Sequence, residues 1–234
     1  MISERSFARG HSDFWEQTLP FGERFARSIR PDRYSAETPT APNVRAEVAA
    51  ELSYLYVSRA MEAKSSLPRL GSTTDYSIRL EATRFLDQFI DREDRTGVRE
   101  EEVAEAMSMA SPCLQRIKSE WRLPLLVVVK PVFDGCGTVD SCSGDLIVDS
   151  TLFEFKSVTR NFRGPDFRQV LTYLSLNALS PRFEILRVCL VNQRRGVIIA
   201  FDCEEFVRGL SGRSLIQVAT EIAEHVAPDL TSAQ

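Results

Sequence analysis

A chain of 234 residues, 43% hydrophobic and 26% charged, can bury a full core as one large domain or two small ones. Its longest apolar run, over 123–129, contains a proline and is far too short for a membrane span, so a helical membrane protein is excluded. The net charge of −4 takes the chain out of the strongly basic class of nucleic-acid binders, although a local basic patch would suffice to track a phosphate backbone.

The chain starts with Ile2, Ser3, Glu4 and Arg5, a charged run without an export signal, and a cytoplasmic protein is expected. Five cysteines, at 113, 136, 142, 189 and 203, form no CxxC pair and read as free thiols; a zinc site or disulfide at Cys136 and Cys142 is the alternative. Ser12 can cap a helix over 13–30 carrying Phe14, Trp15, Phe21, Phe25 and Ile29, interrupted near Pro20 and Gly22. Pro31, Pro39 and Pro42 mark a linker. Asn43 then caps a helix reaching about residue 64, with Val44, Val48, Leu52, Leu55 and Met61 as its apolar stripe. Glu47 and Glu51 share a face of that helix, either as an upstream metal ligand or as an ordinary solvated face. A loop over 65–74 leads to a third helix over 75–92, with Ile78, Phe85, Leu86, Phe89 and Ile90 apolar. After Gly97 a fourth helix covers 98–110, its start suited electrostatically by Glu100, Glu101 and Glu102. Ser111 and Pro112 read as a new cap and first turn, which makes 113–121 a fifth helix. The expected organisation is a mostly helical region over 1–121 followed by a core over 122–234.

Past Trp121 the pattern changes to strands. The apolar run 125–129 reads as a central strand, and 131–143 as a glycine-containing loop. Leu146 to Val148 and Leu152 to Phe155 form two strands around a tight turn. A period of two puts Glu154 and Lys156 on one face and turns Phe153 and Phe155 into a core. Asp145, at the entry of the partner strand, can meet Glu154 at one sheet end. Both charges of LFEFKSV sit in an otherwise apolar strand, where they are costly without partners. Two carboxylates suffice for Mg²⁺ or Mn²⁺, which binds through one or two carboxylates plus water and phosphate oxygens, and an adjacent lysine can hold or deprotonate a water. Asp140 is the rival first acid.

Arg160, Arg163 and Arg168, with Asn161 and Phe162, lead into a helix over 166–178. They read either as phosphate contacts with an aromatic for base stacking, or as a solvated loop. On that helix Gln169, Tyr173 and Asn177 share a polar stripe, which should face something polar, opposite Val170, Leu171, Leu174 and Ala178. Strands over 185–191 and 197–201 follow, then an amphipathic helix over 214–226 on which His225 suits the C-terminal dipole.

Gly144-Asp145, then Glu154-Phe155-Lys156 nine residues after the aspartate, then QVLTY starting thirteen residues after the lysine, resembles the PD-(D/E)XK nuclease superfamily. The spacing from Gln169 to Tyr173 resembles the QxxxY element of its RecB-like branch. The likeness covers roughly 123–206, and Gly144 stands where the superfamily usually has proline. The resemblance implies an α/β, restriction-endonuclease-like mixed sheet of four or five strands flanked by helices. It implies Asp145 and Glu154 as Mg²⁺ or Mn²⁺ ligands, Lys156 as the catalytic lysine, Gln169 and Tyr173 facing the site, and a glutamate upstream. The implied function is a DNA-cleaving enzyme of phage defence or repair, acting as a homo-oligomer or with a partner protein. A catalytically silent nucleic-acid-binding or assembly subunit is the alternative.

Overall fold

The structure, a computed structural model, describes residues 1–89, 97–121, 124 and 126–227. The expected third-helix end near Arg92, its stripe residue Ile90, the side chains of Phe85, Leu86 and Phe89, and the strand start at Leu125 lie outside the described residues.

The amino-terminal region opens with α1 (Glu4–Arg9), α2 (Ser12–Thr18) and α3 (Gly22–Ser28). The last two replace the helix expected over 13–30, divided at Pro20 where the sequence puts the interruption. α1 has no counterpart in the sequence reading; Ser3 caps it, its hydroxyl accepting from the Ser6 N–H at 3.2 Å. The proline-marked linker holds a two-residue strand, β1 (Asp32–Arg33). Then come α4 (Ala46–Glu62), α5 (Thr73–Phe89) and α6 (Glu100–Glu120). α6 corrects the expectation of two helices, since it runs unbroken through Pro112. Proline removes one N–H, but Ala106, Ala110, Cys113, Leu114 and Ile117 continue one buried stripe across it, and packing outweighs the local cost.

The carboxy-terminal half contains β2 (Val127–Val129), β3 (Val132–Phe133), β4 (Cys142–Ser143), β5 (Leu146–Val148), β6 (Thr151–Lys156), α7 (Gly164–Leu179), β7 (Arg187–Asn192), β8 (Val197–Asp202), α8 (Cys203–Ser211) and α9 (Leu215–His225). α8 is a further addition to the sequence reading: Asp202 caps it by accepting from the Glu204 N–H at 2.9 Å, and Gly212, at φ 74°, ends it in the left-handed region. Among the described residues six strands form a mixed sheet in the order β1-β8-β7-β6-β5-β2, against the four or five expected, because β1 pairs with β8. β6 and β7 are parallel, joined across α7, and the other neighbours are antiparallel. β3 and β4 form a separate ladder.

Helices cover both faces, so the fold is α/β. Leu146, Val148, Phe153, Phe155, Cys189 and Val191 pack with α4 and α6 on one face. Ile147, Leu152, Val188, Leu190 and Ile199 pack with α7, α8 and α9 on the other. Phe153 and Phe155 thus enter a core opposite Glu154, as the period of two requires, and full burial of a side chain such as Phe153 contributes about 1.5–3 kcal/mol. α1 to α3 lie over the α7 side through Phe7, Trp15 and Phe25. Among the described residues no helix is long and apolar enough to cross a membrane.

Candidate active site

β5 and β6 pair so that Leu146 faces Phe153, which puts Asp145 at the strand entry beside the end of β6. There the Asp145 carboxylate accepts from the Phe155 N–H at 2.7 Å. Its backbone carbonyl accepts from the Tyr54 hydroxyl of α4 at 2.9 Å and the Lys130 N–H at 3.0 Å, so both chain and side chain are held. Gly144 is buried, and a Cβ there would lie 3.2 Å from Phe133 and 3.3 Å from Leu152. The tight packing explains a glycine before the acid.

Glu154 is 1% exposed on the α7 face of β6. One carboxylate oxygen accepts from Lys156 Nζ at 2.6 Å, while Oε2 is buried with no hydrogen-bond partner. Lys156 Nζ donates a second bond to Gln169 Oε1 at 2.7 Å. Gln169 Nε2 donates to the Tyr173 hydroxyl at 2.8 Å and to Glu4 Oε1 at 3.3 Å. The Tyr173 hydroxyl donates to the same Glu4 oxygen at 3.4 Å, and Arg5 lies 3.5 Å from it. Residues from β6, α7 and α1 therefore share one polar chain: Glu154, Lys156, Gln169, Tyr173 and Glu4. The helical spacing of four sets Gln169 above Tyr173.

The charges are under strain. Burial first, then the Glu154 carboxylate, pushes the Asp145 carboxyl well above its usual range against the pull of Lys156, the Phe155 N–H and Arg5. Burial, followed by Glu154, Asp145 and Glu4, pushes the Tyr173 phenol up, so it stays a neutral hydroxyl. Burial opposes the charge of Arg5, but Glu154, Tyr173, Asp145 and Glu4 together outweigh it and hold the guanidinium more firmly protonated.

A cleft of about 540 Å³ opens onto this set, bordered by Asp145, Lys156 and Gln169 and by Arg5, Glu47 and Glu51. Glu47 is exposed and Glu51 half-buried, its carboxyl pushed up mainly by burial. Glu4 is an acid that no sequence motif singles out, while Asp140 does not border the cleft and sits where its N–H donates to the Ile2 carbonyl. The basic loop divides. Arg160 makes a bidentate pair with Asp166, at 2.6 and 2.9 Å, and the same carboxylate accepts from the Arg163 N–H at 2.8 Å. Asn192 braces the loop from β7, donating to the carbonyls of Val158 and Arg160. The side chain of Arg163 is exposed, and the Arg168 guanidinium lies 5.8 Å over the Trp15 ring.

Among the described residues no group of three or more His, Cys, Asp or Glu side chains is gathered as a metal cage. The donor set nevertheless suits a hard divalent cation, which needs one or two carboxylates plus water and substrate oxygens: Glu154 Oε2 is an orphaned buried acceptor, and Asp145 borders the cleft. The five cysteines are unbridged. No family model, curated protein or solved structure matches the chain.

Proposed function

We propose that this protein is a metal-dependent nuclease hydrolysing phosphodiester bonds of DNA, with the cleft at Asp145, Glu154 and Lys156 as its active site. The observation that carries the reading is Glu154: a buried carboxylate beside a second one, with one oxygen on a lysine and the other on nothing. A cost of that kind persists where function uses it. The order of β2, β5, β6, α7 and β7, antiparallel until the parallel β6–β7 pair, supports the restriction-endonuclease-like core that the sequence resemblance implies.

A Mg²⁺ or Mn²⁺ ion held by Asp145 and Glu154 would polarise a phosphoryl oxygen and lower the pKa of a bound water. The Phe155 N–H fixes one Asp145 oxygen and leaves the other for the cleft. Lys156 has three N–H donors and spends two, on Glu154 and Gln169. The third is left to orient a water or neutralise a phosphate oxygen as charge develops. Gln169, held by Tyr173 and Glu4, fixes the lysine's direction. Positioning of this kind is what a mobile ammonium needs.

Labelled DNA incubated with Mg²⁺ should be cut, and EDTA should stop it. Glu154→Gln, Asp145→Asn and Lys156→Ala should each lower the rate about 100-fold or more while the far-UV circular dichroism stays that of the wild type. Folded variants that cut at the wild-type rate would remove the assignment. Absence of cleavage by the wild type with any divalent ion, together with retained DNA binding, would instead favour a silent binding subunit.

A further inference from the structure

A second cavity, of about 590 Å³, lies beside the cleft and shares none of its lining residues. The wall between them is the loop into α7 and the first turn of that helix. Arg160, Pro165, Asp166 and Gln169 border the cleft, whereas Phe162, Arg163, Phe167 and Arg168 border the second cavity. The two spaces are therefore lined from opposite sides of one loop and the start of α7.

The second cavity has a composite chemistry. Leu19 from the end of α2, Ile29 from the end of α3, and Phe162 and Phe167 supply apolar and aromatic surface. Four arginines (27, 30, 163 and 168) against Glu16 and Glu23 leave an excess of two positive charges. Arg27 is spent on Glu23, at 2.5 Å, and Arg30 on backbone carbonyls. Neither Arg163 nor Arg168 has a carboxylate in salt-bridge contact among the described residues. Arg168 is half-buried against Trp15, and that burial pulls its pKa down, with only a more distant Glu16 opposing. A half-buried guanidinium without a counter-ion, next to aromatic side chains, fits an anion carrying an aromatic body. Arginine suits a phosphate bidentately and an exposed π-face suits a base.

We propose that this cavity is a subsite for an unpaired nucleotide of the substrate strand, one that flanks the bond being cut. Its phosphate meets Arg163 and Arg168, and its base lies against Phe162 and the apolar wall. The proposal rests on the nuclease reading for the word substrate, and it makes single-stranded or frayed ends the preferred DNA. A base held in a duplex cannot enter without being unstacked, which disfavours the duplex.

Binding in EDTA separates this from catalysis. Anisotropy of a labelled oligothymidylate and of a blunt duplex gives the affinities, and Trp15 fluorescence in a Trp121→Phe background reports occupancy beside Arg168. Expected are a preference for the single strand, a change in Trp15 emission on binding it, and a fall of about tenfold in the single-strand to duplex affinity ratio for Arg163→Ala/Arg168→Ala. Arg163→Ala alone, at an exposed side chain, and Phe162→Ala should each lower the ratio severalfold, so the test survives if the double variant folds poorly. An unchanged ratio, or a fallen ratio without any Trp15 response to the oligonucleotide, would overturn the subsite. So would thymidine monophosphate binding more tightly than the oligonucleotide, which would make the cavity a site for a free nucleotide, or inorganic phosphate displacing the strand as well as the nucleotide does. A protein that binds single strands as described but cuts nothing would retain the subsite and lose the nuclease. One that cuts duplex and single strand alike, with no effect of these variants, would do the opposite.

Discussion

On the α6 side of the sheet, Glu102 and Glu105 are buried with both oxygens of each carboxylate engaged. On the α7 side Glu154 is buried just as deeply with one oxygen bare. Glu102 takes Arg45 Nε at 2.6 Å and Nη2 at 2.9 Å, together with the Arg99 N–H at 2.9 Å. Glu105 takes Arg194 Nη2 at 2.7 Å and the Ala41 N–H at 3.0 Å. These pairs fasten the linker between β1 and α4 onto α6 and the β7–β8 turn, and Arg194 also donates to the Thr38 carbonyl. Burial opposes ionisation of Glu102, yet Arg45 and the Arg99 N–H win and hold its carboxyl below the usual range. Asp145, beside Glu154, is pushed the other way. The same residue type is thus closed where it holds the fold and left open at Glu154, in the site proposed to take a cation and a phosphate.

The contrast breaks most readily at Glu105. Glu105→Ala leaves Arg194, itself 1% exposed, as an uncompensated buried charge, which costs about 3–5 kcal/mol. Urea unfolding should show a loss of that size with little change in the slope, and any cleavage activity should persist where the variant is folded. A loss below about 1 kcal/mol would place the pair among weak surface bridges.

Gln169→Ala tests the other side with a smaller stability effect. Gln169 borders the cleft but is only 4% exposed, and its removal strands Lys156, Tyr173 and Glu4. A stability loss of about 1–3 kcal/mol is expected, less than the roughly 2–5 kcal/mol of Leu174→Ala in the adjacent core. Only the glutamine variant should lose turnover when both are compared as folded protein. Equal loss of turnover in the two would reduce Gln169 to a packing residue.

How much of this was legible depends on the range of each signal. The period of two in β6 and the spacing of four in α7 are local, and they bring Glu154, Lys156, Gln169 and Tyr173 into one hydrogen-bonded chain. Glu4 joins them from 165 residues away in sequence from Gln169, on a six-residue helix too short to show a periodic stripe. Arg160 was ambiguous because its partner Asp166 reads equally as a first-turn acid of α7. α8 had its signals in the open, an aspartate cap, two first-turn glutamates and a terminal glycine, whereas β1 exists only because β8 offers it an edge. Proline in α6 misled because local chemistry favours a break there and only the tertiary stripe against α4 forbids it.

A still smaller effect sharpens the comparison with the opposite sign. Asp145→Asn keeps an acceptor for the Phe155 N–H and removes a charge that burial and Glu154 both disfavour. Without metal the variant should melt a few degrees higher, a gain of about 1 kcal/mol being worth roughly 2–4 °C in a chain of this size. Added Mg²⁺ should raise the melting temperature of the wild type and not of the variant. Melting below the wild type in EDTA would mean that the carboxylate serves the fold as Glu105 does.

The smallest expected effect lies at a third kind of charge, partly open to water. His225, at the end of α9, stacks on Phe14 at 4.0 Å and shares a 2.9 Å hydrogen bond with His11, so it does more than answer the helix dipole. One imidazole must donate and the other accept, and protonating both sets two N–H groups against each other. Burial first and His11 second lower the His225 pKa, the reverse of what the dipole alone would do. A base whose folded pKa is depressed contributes stability that is present above its unfolded pKa, about 6.5, and is lost as the pH falls through the folded value. The pair should therefore loosen the α2–α9 contact on acidification, only slightly because His225 is exposed. An NMR titration of the ring protons should place His225 below about 6.5 in the wild type, and His11→Ala should raise it only part of the way, since burial against Phe14 remains. A His225 that titrates above that value would return the helix dipole to command.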